Sequence, residues 1–287
     1  MKQVSLFLAM LFIAISVCGA ADRGPANRPQ FIQIEVPGAT ATSVNGINNT
    51  GVMVGTYGTT NIENGFALFG GKLVIISVPG ALGTTCQGVN SARAIVGTVT
   101  PQIGQGNPRG FLYQNGVFTD IGPGTDLAGA FGINDSGQIV GGYAPDGITE
   151  HGFLYDGAQY QTLDVPGAKA TVATGINNQG LIVLQWGGSD GHTHGALYDG
   201  TQYTTIDVPG ASDSFPFGVN NFGDVAYTYY DSQGATRSAL LRGGQYYKYM
   251  VPGSNRSFAY GLNDKDVIVG VYYDHSLSVK PGYKLIP

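Results

Sequence analysis

Residues 171–186 run Thr171-Val172-Ala173-Thr174-Gly175-Ile176-Asn177-Asn178-Gln179-Gly180-Leu181-Ile182-Val183-Leu184-Gln185-Trp186. A short apolar run meets Asn-Asn-Gln-Gly, a turn sequence, and a second apolar run follows, so the stretch predicts a β-hairpin. Further along, Gly187 to Thr193 reads as a polar loop, and Gly195-Ala196-Leu197-Tyr198 as a third strand. Asp199-Gly200 opens a tight turn, and Tyr203 to Val208 reads as a fourth strand stopped by Pro209-Gly210. Proline stops it because it has no N–H to give to a ladder. The unit is four antiparallel strands. Runs such as Leu181-Ile182-Val183-Leu184 are apolar on both faces, which suits a sheet packed between two neighbours.

The same unit fills the chain. Gly-(Ile/Val/Leu)-Asn recurs at Gly46/Asn48, Gly88/Asn90, Gly132/Asn134, Gly175/Asn177, Gly218/Asn220 and Gly261/Asn263, with glycine spacings of 42, 44, 43, 43 and 43 residues. Val-Pro-Gly recurs at Val36, Val78, Val165, Val208 and Val251, and the remaining copy is degraded to Gly122-Pro123-Gly124. An aromatic hairpin such as Gly152-Phe153-Leu154-Tyr155-Asp156-Gly157 is the third marker. Four short strands at this period predict an all-β, six-bladed β-propeller of four antiparallel strands per blade. Helix-period patterns are absent, and a parallel β-helix has shorter coils.

The chain ends fit a closed ring. Phe31 to Val36 matches the fourth strand of a unit, while Gly282 to Ile286 matches the third. The sixth blade therefore lacks its outer strand, and residues 31–36 are expected to supply it, which removes a weak edge. Residues 31–287 then form one domain of six repeats of about 43 residues, with no internal boundary.

These markers resemble the bacterial extracellular repeats of the HAF family, named for a His-Ala-Phe-like tripeptide. Its nearest counterpart is His151-Gly152-Phe153, with Arg109-Gly110-Phe111 and Asn64-Gly65-Phe66 as relatives, whereas His194-Gly195-Ala196 has lost the aromatic. The resemblance implies an exported, propeller-like bacterial protein and carries no catalytic residues with it.

Glycine makes up 46 of 287 residues, about twice its usual share of roughly 7%. Charged residues are 11% and the net charge is −5, which argues against a coiled coil, a charged disordered tail and a nucleic-acid footprint. Lys2, the apolar run Val4 to Val17 and Cys18-Gly19-Ala20 read as a signal peptide over residues 1–20, cleaved near Ala20-Ala21. An alternative makes Cys18 the acylated residue of a lipoprotein. Residues 21–30 read as a flexible lead. The expected location is secreted, extracellular or periplasmic, with no membrane span once the signal is cleaved. Cys86 is then unpaired, so burial must hold the fold and the thiol is expected in the core.

Candidate chemistry is sparse. The repeated Gly-x-Asn pairs read first as structure: glycine for close backbone approach, asparagine for turn bonding. As a ring of amides they would instead face a polar ligand. Tyr57, Tyr143, Trp186, Tyr229 and Tyr272 close the second strand in five units, with Val99 in the other. They pack between blades or form stacking platforms for sugar rings. His192 and His194 alternate along the chain and form a weak metal candidate with Asp190, although a third ligand is not evident. Glu35, Asp120, Asp164 and Asp207 near Val-Pro-Gly read as solvation of an outer strand. No nucleophile elbow, phosphate loop or dinucleotide fingerprint is visible.

The expectation is a non-enzymatic binding or interaction module without a cofactor, monomeric by default. Its expected partner is a glycan or another cell-surface component such as a protein, not nucleic acid. The alternatives are a polysaccharide lyase or hydrolase, for which His192, His194 and Tyr143 are the residues to test, and a purely structural envelope or matrix protein.

Overall fold

In a computed structural model, which describes residues 29–59, 62–124, 127–274 and 281–286, the chain folds as an all-β ring of six four-stranded blades. The signal peptide and residues 21–28 of the lead lie outside the described residues. Strand β1 (Gln30–Ile34) precedes the first blade. Blade 1 is β2 (Ala41–Ile47), β3 (Met53–Gly58), β4 (Glu63–Phe69) and β5 (Lys72–Ile76). Blade 2 is β6 (Gly83–Val89), β7 (Ile95–Thr100), β8 (Arg109–Gln114) and β9 (Val117–Ile121). Blade 3 is β10 (Leu127–Ile133), β11 (Ile139–Ala144), β12 (His151–Tyr155) and β13 (Tyr160–Leu163). Blade 4 is β14 (Thr171–Ile176), β15 (Ile182–Gly187), β16 (Thr193–Tyr198) and β17 (Tyr203–Thr205). Blade 5 is β18 (Ala211–Val219), β19 (Val225–Asp231), β20 (Thr236–Arg242) and β21 (Gln245–Tyr249). Blade 6 is β22 (Ser254–Leu262), β23 (Ile268–Asp274), β24 (Gly282–Ile286) and the returning β1.

The ring closes as expected. β1 pairs antiparallel with β24, from Gln30 opposite Ile286 to Ile34 opposite Gly282. Phe31 packs on Tyr249 and Tyr283 at ring-centroid distances of 6.5 and 6.1 Å. The strand stops two residues short of the expected Val36 because Val-Pro-Gly is itself a turn. The Ala39 N–H donates to the Val36 carbonyl, and Gly38 sits at φ 79°. Proline at the second position and a positive-φ glycine at the third define a type II turn. The same bond recurs at Ala81–Val78, Ala168–Val165 and Ala211–Val208. This turn carries the chain from the outer strand of one blade to the inner strand of the next. It also explains why the fourth strand of blade 4 ends at Thr205 rather than Val208. In four copies the Val N–H is taken by a hydroxyl from the next inner strand: Thr42, Thr84, Thr171 and Ser214, at 2.9–3.1 Å.

The core is six interblade layers rather than one central mass. Phe66, Phe111 and Phe153 occupy one repeat position and are fully buried. Cys86 lies in the layer between blades 1 and 2 with no exposed surface, and burial pushes its thiol far above the ordinary range. The outer hairpins are tied by opposed aromatic pairs, Tyr113–Phe118, Tyr155–Tyr160 and Tyr198–Tyr203, with centroids 4.5–4.6 Å apart. No helix among the described residues is long and apolar enough to cross a membrane.

Candidate functional site: the axial channel

The innermost strands meet around the axis backbone against backbone. A Cβ on Gly46 would lie 2.4 Å from the Gln87 carbonyl oxygen, one on Gly175 2.3 Å from that of Phe217, and one on Gly261 3.1 Å from the Cα of Gly46. Six side chains at this radius would hold the blades apart, so glycine at the Gly-x-Asn position follows from the geometry of the ring.

The asparagines tie neighbouring blades together. Nδ2 donates to the backbone carbonyl of the next asparagine around the ring: Asn48 to Asn90 at 2.8 Å, Asn90 to Asn134 at 3.1 Å, Asn134 to Asn177 at 3.1 Å, Asn177 to Asn220 at 2.9 Å and Asn263 to Asn48 at 3.1 Å. Asn220 donates to Asp224 at 3.2 Å. Each Oδ1 accepts a backbone N–H of its own turn, as in Asn177 with Gln179 and Leu181 at 3.0 and 2.9 Å. The amides are therefore buried and occupied by the fold. The next residues form a second ring at this narrow mouth. Asp135 accepts from Ser91 and Asn178, and Asp264 from Asn49 and Asn221, at 2.7–2.9 Å.

The feature that sequence reading did not anticipate sits one residue before each Gly-x-Asn. In every blade the register between the first two strands slips there, so Asn45, Gln87, Phe131, Thr174, Phe217 and Tyr260 are bulged. A bulge re-aims its side chain. Here all six line the waist of the axial channel, a hollow of about 100 Å3, and also the floor of a wide cup of about 590 Å3 above it. Below the waist the narrow mouth holds about 70 Å3. The cup has the size of a small-molecule site.

The lining of the cup mixes aromatic and polar side chains. Phe131, Phe217 and Tyr260 come from blades 3, 5 and 6, and Tyr273 joins them on the wall. Phe217 meets Tyr260 edge to face at 4.9 Å. Burial pushes the Tyr260 phenol well above its usual range, so it stays a neutral donor. Asn45, Gln87 and Thr174 come from blades 1, 2 and 4, with Ser43, Thr85 and Gln185 beside them. Part of this polar lining is held in place: Asn45 Nδ2 donates to the Cys86 carbonyl at 2.9 Å, Ser43 Oγ donates to Asn45 Oδ1 at 2.6 Å, and Gln185 Nε2 donates to the Pro216 carbonyl at 3.0 Å. Glu63 stands exposed at the rim.

The aromatic set proposed from sequence lies elsewhere. Along β3, β15 and β23 the cup is lined by Thr56, Gln185, Val271 and Tyr273, and strand alternation turns their neighbours Tyr57, Trp186 and Tyr272 to the opposite face. Tyr57, Tyr143, Trp186, Tyr229 and Tyr272 all pack into interblade layers. Tyr143 stacks near His151 and Phe153 at 5.6 and 6.4 Å, and Tyr229 is only 5% exposed. Lys248 lies 5.2 Å over the Tyr229 ring.

The histidines among the described residues are engaged by carboxylates. His194 places Nδ1 2.7 Å from Asp207 and Nε2 3.1 Å from Asp190, and stacks on Trp186 at 4.6 Å. Burial, the largest single influence, works against protonating His194, but the bonds to Asp207 and Asp190 together raise its pKa above 6.5. With both ring nitrogens facing carboxylates, the imidazolium is the form that satisfies the site. His192 faces Asp213 at 3.4 Å. Among the described residues no group of three or more His, Cys, Asp or Glu side chains is placed to hold a metal ion. Of the four acids read as outer-strand solvation, three are cross-strand partners at one repeat position, Arg109–Asp120 at 3.1 Å, His151–Asp164 at 2.9 Å and His194–Asp207, while Glu35 accepts from Gln33 Nε2 two residues away.

No protein-family model matches the chain, and no curated protein matches it. Solved structures do. The fungal fucose lectin of Aleuria aurantia, described as a six-bladed β-propeller, aligns with a TM-score of 0.54 at 11% identity, covering 89% of this chain and 97% of the lectin. The SapL1 lectin in complex with α-methyl fucoside aligns at 0.57 and 12% identity, covering 88% and 94%. The propeller domain of a protease from Pyrococcus furiosus, described as having an open velcro topology, aligns at 0.56 and 12% identity, covering 90% and 84%. Fold and channel together define a six-bladed propeller with a single wide axial cup.

Proposed function

We propose that this protein is a secreted, non-enzymatic carbohydrate-binding module that holds sugar in the axial cup. The observation that carries this reading is the bulge ring, which gathers Phe131, Phe217 and Tyr260 with Asn45, Gln87 and Thr174 around one cavity. A pyranose ring has an apolar face that stacks on aromatics and an equatorial belt of hydroxyls that needs amide and hydroxyl partners. Fold likeness to fucose-binding lectins supports the class of ligand, and the amino-terminal signal peptide read from sequence supports export. The HAF-family resemblance points the same way. An enzymatic reading has less support. Paired-acid glycoside hydrolysis requires two facing carboxyl groups, and the described lining of the cup offers Glu63 alone.

The test is titration calorimetry of the purified secreted chain against a panel of neutral monosaccharides, fucose included. Saturable binding is expected at one site, weakened about tenfold or more by Tyr260→Ala or Gln87→Ala in protein shown to be folded. Full binding by both variants would place the ligand outside the cup and overturn the reading.

A further inference from the structure

The cup narrows below and continues into a groove on one side. Its floor is the bulge ring, beneath which the channel falls from about 590 to about 100 Å3 and then to about 70 Å3. A polymer cannot thread such a waist, so it enters by an end. A second hollow of about 480 Å3 shares Ala41, Gly58 and Glu63 with the cup and runs outward between blades 1 and 2 to Leu82, Gly83 and Thr100. At this seam the two blades are joined by the parallel Glu63–Gly83 bridge.

The glycines of this groove differ from those on the axis. A Cβ on Gly83 would meet Thr100 at 3.7 Å and Glu63 at 3.8 Å, and one on Gly58 would meet Thr40 at 3.7 Å, all ordinary contacts. Neither glycine has a positive φ. The fold therefore does not demand glycine at either place, and a larger side chain there would fill the groove. Leu82, 39% exposed, offers an apolar patch beside the Thr100 and Thr40 hydroxyls. Glu63 stands where cup and groove join, so an acidic sugar at that point meets a like charge.

Resting on the carbohydrate reading, we propose that the ligand is a neutral oligosaccharide bound end-on, its terminal residue in the cup and its following residues in the groove between blades 1 and 2. The experiment titrates the secreted chain with malto-, cello- and laminari-oligosaccharides of increasing length, and with oligogalacturonates. The expected result is one oligosaccharide per propeller, with affinity rising about tenfold or more from monosaccharide to trisaccharide in the series that binds. Gly83→Leu is expected to remove that gain, so that mono- and trisaccharide bind alike. Leu82→Arg, on an exposed side chain, decides the point if Gly83→Leu fails to fold. Oligogalacturonate is expected to bind about tenfold more weakly, and Glu63→Gln to narrow the gap. Affinity independent of length, or a gain that survives both groove variants, overturns the inference while leaving cup binding of a monosaccharide intact. Several equivalents per chain also overturn it. Absence of binding to every sugar overturns both readings.

Discussion

Asn177 donates its side-chain amide to the backbone carbonyl of Asn220, 2.9 Å away in the next blade and 43 residues along the chain. Its Oδ1 meanwhile accepts from Gln179 and Leu181 within its own turn. One side chain thus fixes a turn and joins two blades. Asn177→Ala leaves a buried carbonyl and two turn N–H groups without this partner, so a loss of about 2–4 kcal/mol in unfolding free energy is expected. Denaturant unfolding measures it. A loss below about 0.5 kcal/mol would show that water replaces the amide at no cost.

The axial glycines make a steric prediction. Gly175→Ala puts a Cβ 2.3 Å from the Phe217 carbonyl oxygen, which belongs to the neighbouring blade's backbone. Overpacking of about 1–3 kcal/mol is the minimum expected, because backbone cannot rotate away as a side chain can. Gly83→Ala, whose Cβ meets only ordinary contacts, is the control and should leave the thermal midpoint within a degree or two.

Ring closure makes a third prediction. Deleting residues 31–36 removes the β1–β24 ladder and the Phe31 contacts with Tyr249 and Tyr283. The thermal midpoint should fall sharply and the protein should become prone to association through the bare β24 edge. An unchanged midpoint would reject closure as a source of stability.

His194 makes a pH prediction. Its folded pKa lies above 6.5, so the stability it contributes is complete below about 6.5 and is lost as pH rises through the folded value. The thermal midpoint of the wild type should therefore drop between mildly acidic and mildly alkaline buffer. His194→Gln should flatten that dependence. At the acid end, Asp146 and Asp199 are held down at about 2 chiefly by turn hydrogen bonds from Thr149 and Thr201, and their contribution is lost as pH falls toward that value.

Tyr143 separates packing from recognition. It lies in the layer between blades 2 and 3 with Phe153, and its hydroxyl bonds Thr162 at 2.9 Å. Tyr143→Ala should cost about 2–4 kcal/mol of stability. A loss of sugar affinity without any loss of stability would return this aromatic set to the binding face.

The repeat period, turn chemistry and strand patterning were enough to read six four-stranded blades and the strand that closes them. Each of these is a local property: Asn-Asn-Gln-Gly turns, proline stops, and apolar runs of strand length say the same thing wherever they stand in the chain. The Gly-x-Asn positions were legible for the same reason, since a demand made by every blade appears in every repeat. The bulge was not. Whether Phe131 or Tyr260 turns to the axis depends on a one-residue slip between paired strands, and a slip of one residue reverses which face a side chain takes. Reading the aromatic strand ends as platforms therefore selected Tyr57, Trp186 and Tyr272, one position from the residues that line the cup. One signal was present: the residue before each Gly-x-Asn varies from Asn and Gln to Phe and Tyr while the motif that follows it stays constant. Only the closed ring could give that variation meaning, because six positions some 43 residues apart become neighbours only when the blades share an axis.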